Sequence, residues 1–242
     1  MSSRENVRRT VGAAVMEFRE RSTVDVCPFC AAYRRRGEEL PWYDTPLFRR
    51  VGSAVAVAAV GSLVPGYVLA APASHVSSVR RLPEPEKVSF LHFVGALRQE
   101  VEARFGPATL FEHGSCADAG GRRSACLVHS HIHIVPGYYA FTELRLAVES
   151  YPSLLEAVHT APGDTSDGYL LYQEPDGAAF LAPDPGVSQF FRRRIAHVLG
   201  RPHEWDYAVC PGWENVRMTH ELLRCEHRGT PRSPETSLAS SA

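Results

Sequence analysis

The sequence predicts an α+β fold, an antiparallel sheet with a long helix packed across it. Three observations carry that expectation. Two apolar runs, 51–60 and 63–71, stand around a turn at Gly61-Ser62 or Pro65-Gly66. Residues 83–105 repeat apolar side chains near helical spacing. Residues 125–135 are β-prone and carry histidines at alternate positions. Strand, strand, long helix, strand, strand in that order gives an antiparallel sheet covered by a helix.

Composition narrows the classes. The 242 residues, 44% of them hydrophobic, suffice for one large domain or a domain with an appendage. A formal net charge of -1 gives no footing for a general nucleic-acid binder. The six cysteines are few and unevenly spaced for a secreted disulfide scaffold. No apolar run reaches membrane-spanning length, and the charged N-terminus lacks an apolar signal core. The expectation is a soluble protein of the reducing cytoplasm.

Taken in order, residues 1–22 are charged, with a short helix expected around 11–21. The apolar runs at 51–60 and 63–71 read as strands around a turn, the second closed by Pro72-Ala73-Ser74-His75. Pro83 and Pro85 suit the first turn of a helix in which Val88, Leu91, Val94, Ala96 or Leu97, and Val101 recur, and Gly106-Pro107 stops it. A short strand follows at 109–112, then a Gly-, Ser- and Asp-containing loop at 114–123, then the histidine strand. Cys116 and Cys126 read as loop or buried thiols.

That strand contains His129-Ser130-His131-Ile132-His133-Ile134-Val135-Pro136. Alternate residues of a strand share a face, so the three imidazoles would line one side at roughly 6.5–7 Å spacing. In a helix they would scatter. The cluster therefore points to one small substrate group shared by the imidazoles. Upstream, Cys27-Pro28-Phe29-Cys30 reads as half a zinc site, a redox pair or two unliganded thiols. A redox unit prefers a regular helix after the pair, whereas the following segment is charged and soon broken by Pro41.

Together, the His-x-His-x-His run, the stretch Pro65-Gly66-Tyr67-Val68-Leu69-Ala70-Ala71-Pro72-Ala73-Ser74-His75 and the upstream C-x-x-C resemble the histidine triad superfamily of nucleotidyl hydrolases and transferases, over a little under half the chain. The resemblance implies that His131 is the nucleophile forming a covalent nucleotidyl-histidine, and that His133 contacts phosphoryl oxygens. It implies that Cys27, Cys30, His75 and His129 hold a structural zinc, a closed Cys2His2 set. His75 alone would be an ordinary strand-end histidine. The resemblance also implies a small nucleotide or phosphate-ester substrate, and a homodimer formed through the long helix and a sheet edge. The sequence departs from the family's pattern at Ala59, Tyr67, Cys126 and Gly137, and Glu112-His113-Gly114 stands where many relatives carry an Asn-Gly element. These departures touch ribose and leaving-group contacts, and leave open a specialised substrate or a fold kept for binding alone. His113 reads either as a polar strand-end residue or as an acid, base or phosphate donor at the site.

The domain expected at 23–140 is followed by an α/β extension at 141–227. There, Glu174-Pro175-Asp176-Gly177 between apolar runs signals a hairpin. Ser188 is placed to cap a helix ended by Gly200, with Ser188, Gln189, Arg192 and Arg193 near its N-terminal half. That end favours anions, so these four residues read as a phosphate clamp or as a solvated basic face. Glu204-Trp205-Asp206-Tyr207 is expected to pack between helix and sheet. Cys225-x-His227 reads as incidental, and the Ser-, Thr- and Pro-rich tail at 228–242 is expected to be disordered.

Overall fold

The computed structural model describes residues 27–34, 40–50, 52–114, 129–144, 146, 148–160 and 168–224. The helix expected within 11–21, the cysteines Cys116 and Cys126, the pair Cys225 and His227, and the tail lie outside the described residues. The strands are β1 (Phe48–Arg50), β2 (Ala54–Ala58), β3 (Val68–Pro72), β4 (Ala108–Gly114), β5 (Ile132–Pro136), β6 (Glu149–Tyr151), β7 (Tyr169–Gln173) and β8 (Ala179–Pro183). The helices are α1 (Pro28–Arg34), α2 (Glu84–Phe105), α3 (Leu154–Thr160), α4 (Phe190–Val198) and α5 (Trp213–Arg224).

The strands form one sheet in the order β1-β2-β3-β5-β4-β7-β8-β6, with every pairing antiparallel. The long helix expected at 83–105 is α2. Pro83 stands at its N-terminal boundary, and Gly106 ends it at φ +85. Both apolar runs expected as strands are present, shortened to β2 and β3 by the turns between them. The C-terminal extension mixes helices and strands, and its β7 pairs with β4 so that the same sheet continues through it.

Alternation sorts the sheet into two faces. Ala54, Ala56, Ala58, Val68, Ala70, Leu110, Ile132 and Ile134 pack under Phe90, Leu91, Val94, Leu97 and Val101 of α2. Each such side chain contributes about 1.5–3 kcal/mol by leaving water. Leu154, Ala157 and Val158 of α3, with Val216 and Leu223 of α5, extend that layer. The opposite face has two patches. Phe29 and Ala32 of α1 cover Val55, Val57 and Ala71. Phe191, Ile195 and Ala196 of α4 cover Phe111, Val135, Leu170 and Tyr172. Being covered on both sides, β2, β3 and β7 read as continuous apolar runs.

One turn depends on glycine. Gly66 sits at φ +81, and a Cβ there would meet the Phe105 ring at 2.5 Å. Its N–H donates to Thr219 Oγ1 at 2.9 Å, so this close approach also ties α5 to the start of β3.

Two boundaries differ from expectation. The histidine strand starts at Ile132, because the preceding backbone is diverted from the ladder. Ser130 N–H donates to Val76 O at 2.6 Å, and its hydroxyl donates to Glu112 at 2.8 Å. Helix α4 starts at Phe190 and is not capped by Ser188: Gln189 stands at the boundary at φ +53, with no side-chain cap.

Candidate active site and metal centre

Four residues distant in sequence converge where α1 meets the sheet. One ligand atom each from Cys27, Cys30, His75 and His129 lies within 4.8 Å of the others. Cys27 Sγ is 3.2 Å from His129 Nδ1, Cys30 Sγ is 3.3 Å from His75 Nδ1, and Cys30 Sγ is 3.5 Å from His129 Nδ1. Zinc bonds of about 2.3 Å to sulfur and about 2.0–2.1 Å to nitrogen set tetrahedral S···N edges near about 3.5 Å, so the set fits zinc. The His129 ring is further prepared: its Nε2 lies 3.0 Å from Pro72 O, an acceptor that fixes the proton on Nε2 and leaves Nδ1 as a lone pair facing the thiols.

Burial holds His129 down to about 4, so the ring is neutral and ligand-competent at pH 7. Burial also pushes the Cys27 thiol up to about 11, opposed by backbone N–H groups of the α1 turn and reinforced by neighbouring Cys30. Metal binding at this site therefore releases protons.

The other two histidines point to the face covered by α1 and α4. His131 Nδ1 donates to the carbonyl of His129 at 2.8 Å, which fixes the tautomer and leaves Nε2 with its lone pair. Its ring lies between Phe29, at 5.1 Å, and His133, at 4.8 Å. Burial lowers its basicity below that of a free imidazole. His133 stacks on Phe111 at 4.2 Å with 12° between the planes. Its Nδ1 lies 2.7 Å from the Tyr67 hydroxyl, so with Tyr67 donating, Nε2 carries the proton and is the ring's donor. Burial, then charges on His131 and Arg192, hold it neutral, well below the ordinary range.

Of the remaining residues singled out in the sequence, His113 lies on β4 beside the triad, with Nε2 3.0 Å from Asp184 Oδ1. The basic residues of α4 are engaged by protein groups. Arg192 is buried and donates to Gly61 O at 2.7 Å, Trp205 O at 2.9 Å and Gln189 Oε1 at 3.1 Å. It also lies over the Tyr67 ring at 5.8 Å. Arg193 stacks on Trp205 at 3.4 Å and donates to Ser188 O at 2.9 Å. Ala59 is buried in the apolar cluster under α4, beside Leu63 and Tyr67.

Three supports escape a reading of the sequence. Glu112 is 1% exposed and accepts from Val79 N–H at 2.9 Å, Ser130 hydroxyl at 2.8 Å and Tyr169 hydroxyl. It thereby holds the residue between His129 and His131. Burial raises its carboxyl, against those three hydrogen bonds. The available signal is an acid directly after the apolar pair Leu110-Phe111 in a strand, since buried carboxylates require partners. Asp184 and the Pro72 carbonyl carry no local signal.

No protein-family model matches the chain, and no curated protein matches it. Among solved structures it is similar to a hypothetical histidine triad nucleotide-binding protein from Sulfolobus tokodaii, at 14% identity over 84% of this chain and 95% of that one, with a TM-score of 0.38. It is similar to a HIT family hydrolase from Clostridium thermocellum at 24% identity, over 48% of this chain and 93% of that one, with a TM-score of 0.34. A Hit-like protein from Bartonella henselae, described as involved in cell-cycle regulation, is matched over 66% of its length and 38% of this chain, at 16% identity and a TM-score of 0.32.

Proposed function

We propose that this chain is a nucleotidyl hydrolase or nucleotidyltransferase that works at phosphorus through a covalent nucleotidyl-His131. The observation that carries the reading is the His131 Nδ1–H···O=C His129 hydrogen bond, which presents Nε2 as a neutral nucleophile. Nε2 bonds to phosphorus as the bond from phosphorus to the leaving group breaks. The ring then carries a positive charge, with Nδ1–H still held by the His129 carbonyl. That charge makes imidazole a good leaving group when water or an acceptor attacks phosphorus and the P–Nε2 bond breaks. His133, neutral and fixed between Phe111 and Tyr67, contributes a hydrogen bond to the phosphoryl oxygens.

Cys27, Cys30, His75 and His129 would hold zinc. The closed four-ligand set makes that zinc structural: it would tie α1 to the residue that orients His131. The substrate is a small nucleotide or phosphate ester. Ala59, buried and apolar, favours one recognised other than through an acidic ribose contact. The four-ligand thiol site suits the reducing cytoplasm, and among the described residues no helix is long and apolar enough to cross a membrane.

A homodimer is part of the same reading. Among the described residues β4 has its own β7 as a neighbour, and the sheet ends at the three-residue strands β1 and β6. The exposed His92, Gly95, Ala96 and Gln99 of α2 are the stretch for a partner helix to meet. Sedimentation of the purified chain checks this.

The direct test of the chemistry is incubation of wild type and His131→Ala with the p-nitrophenyl ester of adenosine 5′-monophosphate, with acid-labile adducts trapped and mapped. Release of p-nitrophenol and an adduct on His131 in wild type, with release lowered by about 10³-fold or more in the variant, is the expected result. Absence of both in wild type would leave a binding protein.

A further inference from the structure

His113 lies two residues beyond Phe111, the partner of His133, on β4. The register of β4 with β5 ends at Phe111 and His133, and His131 stands one residue before β5 begins. Phe111 and His133 stack, so this is the face that carries the reacting rings. Alternate residues of a strand share a face, so His113 projects to the same side as Phe111. A positive charge on His113 weighs against protonation of both His131 and His133, as expected of neighbouring rings.

The far side of the His113 ring meets a carboxylate from the extension. Its Nε2 approaches Asp184 Oδ1 at 3.0 Å, an ion-pair contact off the line of a hydrogen bond, and both side chains are buried, at 10% and 4% exposure. Asp184 follows β8 directly, and its N–H reaches Gly168 O at 3.4 Å. Asp184 Oδ1 also accepts from Gly186 N–H at 2.9 Å, and the Asp184 side chain lies beside Gly168. That residue sits at φ +90, and a Cβ there would lie 3.2 Å from Asp184 Oδ2 and 3.0 Å from Gly114 O. A glycine at 168 leaves the carboxylate room to reach His113. Among the described residues the other ring nitrogen, Nδ1, makes no hydrogen bond.

We propose, resting on the reading of His131 as nucleophile, that His113 backed by Asp184 is the general acid–base that serves the leaving group. As His131 Nε2 bonds to phosphorus, the bond from phosphorus to the leaving oxygen or nitrogen breaks with its electron pair. His113 Nδ1 gives that atom a proton. In the second step neutral His113 takes a proton from the attacking water or hydroxyl, an oxygen–phosphorus bond forms and the P–Nε2 bond breaks. The ring ends as it began. Asp184 is a positioning residue that stabilises the imidazolium. Such a pair is of use for alcohol, sugar-hydroxyl or amine leaving groups, which depart poorly without a proton, and of little use for phosphate or pyrophosphate.

The test is a series of aryl esters of adenosine 5′-monophosphate running from p-nitrophenyl to unsubstituted phenyl, with melting curves on every variant. In kcat/KM, which reports only the formation of nucleotidyl-His131, His113→Ala, His113→Gln and Asp184→Asn are expected to lose less than about 10-fold on the p-nitrophenyl ester, whose leaving group needs little protonation, while later turnovers slow on every ester. On the phenyl ester their kcat/KM is expected to fall by about 10²–10⁴-fold. His113→Gln keeps a polar side chain against Asp184 and guards against loss by misfolding. Values of kcat/KM lowered equally on all esters, or unchanged on all, would overturn the assignment and make the pair a structural tie. Failure of wild type on the p-nitrophenyl ester is a different result: it removes the His131 reading, and this one with it.

Discussion

His129 gives its Nε2 proton to the Pro72 carbonyl at 3.0 Å, and that bond turns Nδ1 of the same ring toward Cys27 and Cys30. The end of β3 thus sets the tautomer of a ligand that precedes β5. Zinc is the expected guest. Protein purified under reducing conditions with zinc should carry one ion per chain. A ligand at about 100-fold above its Kd adds about 2.7 kcal/mol, so chelation should lower the melting temperature by about 5–10 °C. Cys27→Ser or Cys30→Ser should remove the ion and the chelator response together. Metal-free protein whose melting ignores chelators would empty the site of this role.

Glu112 gathers three donors into one buried carboxylate. Glu112→Ala leaves the Val79 N–H, Ser130 hydroxyl and Tyr169 hydroxyl without that acceptor. At about 1–3 kcal/mol for each donor left unsatisfied, the expected loss is about 3 kcal/mol or more, or about 6–12 °C in melting temperature. Glu112→Gln keeps the oxygen that serves Val79 and Ser130, and the Tyr169 hydroxyl can turn to accept from the new amide. It should therefore cost less than about 1.5 kcal/mol. Equal losses in the two variants would mean that the carboxylate itself is what Glu112 supplies, because glutamine keeps the volume and an acceptor oxygen.

The contrast between Glu112 and His131 shows what a sequence exposes. Alternation and helical period are local, so α2, β2, β3 and the side-chain parity of 131–134 are legible directly. The Cys27, Cys30, His75 and His129 set is dispersed: the thiol pair reads on its own as half a zinc site, a redox pair or free thiols, and His75 and His129 join it only through the family resemblance. Helix α5 is hidden because its buried face mixes Val216 and Leu223 with Thr219 and His220, a weak apolar stripe. Strands β1 and β6 are three residues long, too short for a period to show. The start of the histidine strand depends on Val76 and Glu112, and the partner of His113 comes from 71 residues away; only the folded chain brings them together.

Arg192 and Arg193 are neighbours on α4 with different expected costs. Arg192 is buried and serves Gly61 O, Trp205 O and Gln189 Oε1. Arg192→Lys replaces a planar fork by a point charge and leaves acceptors unserved, for a loss of about 2–3 kcal/mol. Arg193→Ala removes a ring stack on Trp205 at a more exposed position, worth about 1 kcal/mol. If both act through the fold, neither changes KM for the p-nitrophenyl ester by more than about 3-fold in protein that remains folded. A KM raised 10-fold or more with melting unchanged would instead mark a direct phosphate contact.

His220 makes stability acid-sensitive from the far side of the sheet. The side chain is 7% exposed, with its ring 6.0 Å from that of Trp42. Burial, and then the charge of Arg224, hold it down to about 4, against a backbone contact to Tyr43. The folded state thus resists a proton that the unfolded chain accepts at about 6.5. Above that pH both states are neutral and the histidine costs nothing. As pH falls from about 6.5 to about 4 the unfolded state alone gains the proton, and stability drops by up to about 3 kcal/mol before levelling off. His220→Phe keeps a ring against Trp42 and removes the titration. Denaturant unfolding of the two proteins at pH 7.5 and pH 4.5 isolates the term, because every other group cancels in the difference. Wild type should lose about 2–3 kcal/mol more than the variant across that interval, and parallel losses would show that α5 opens enough for the ring to be protonated in place.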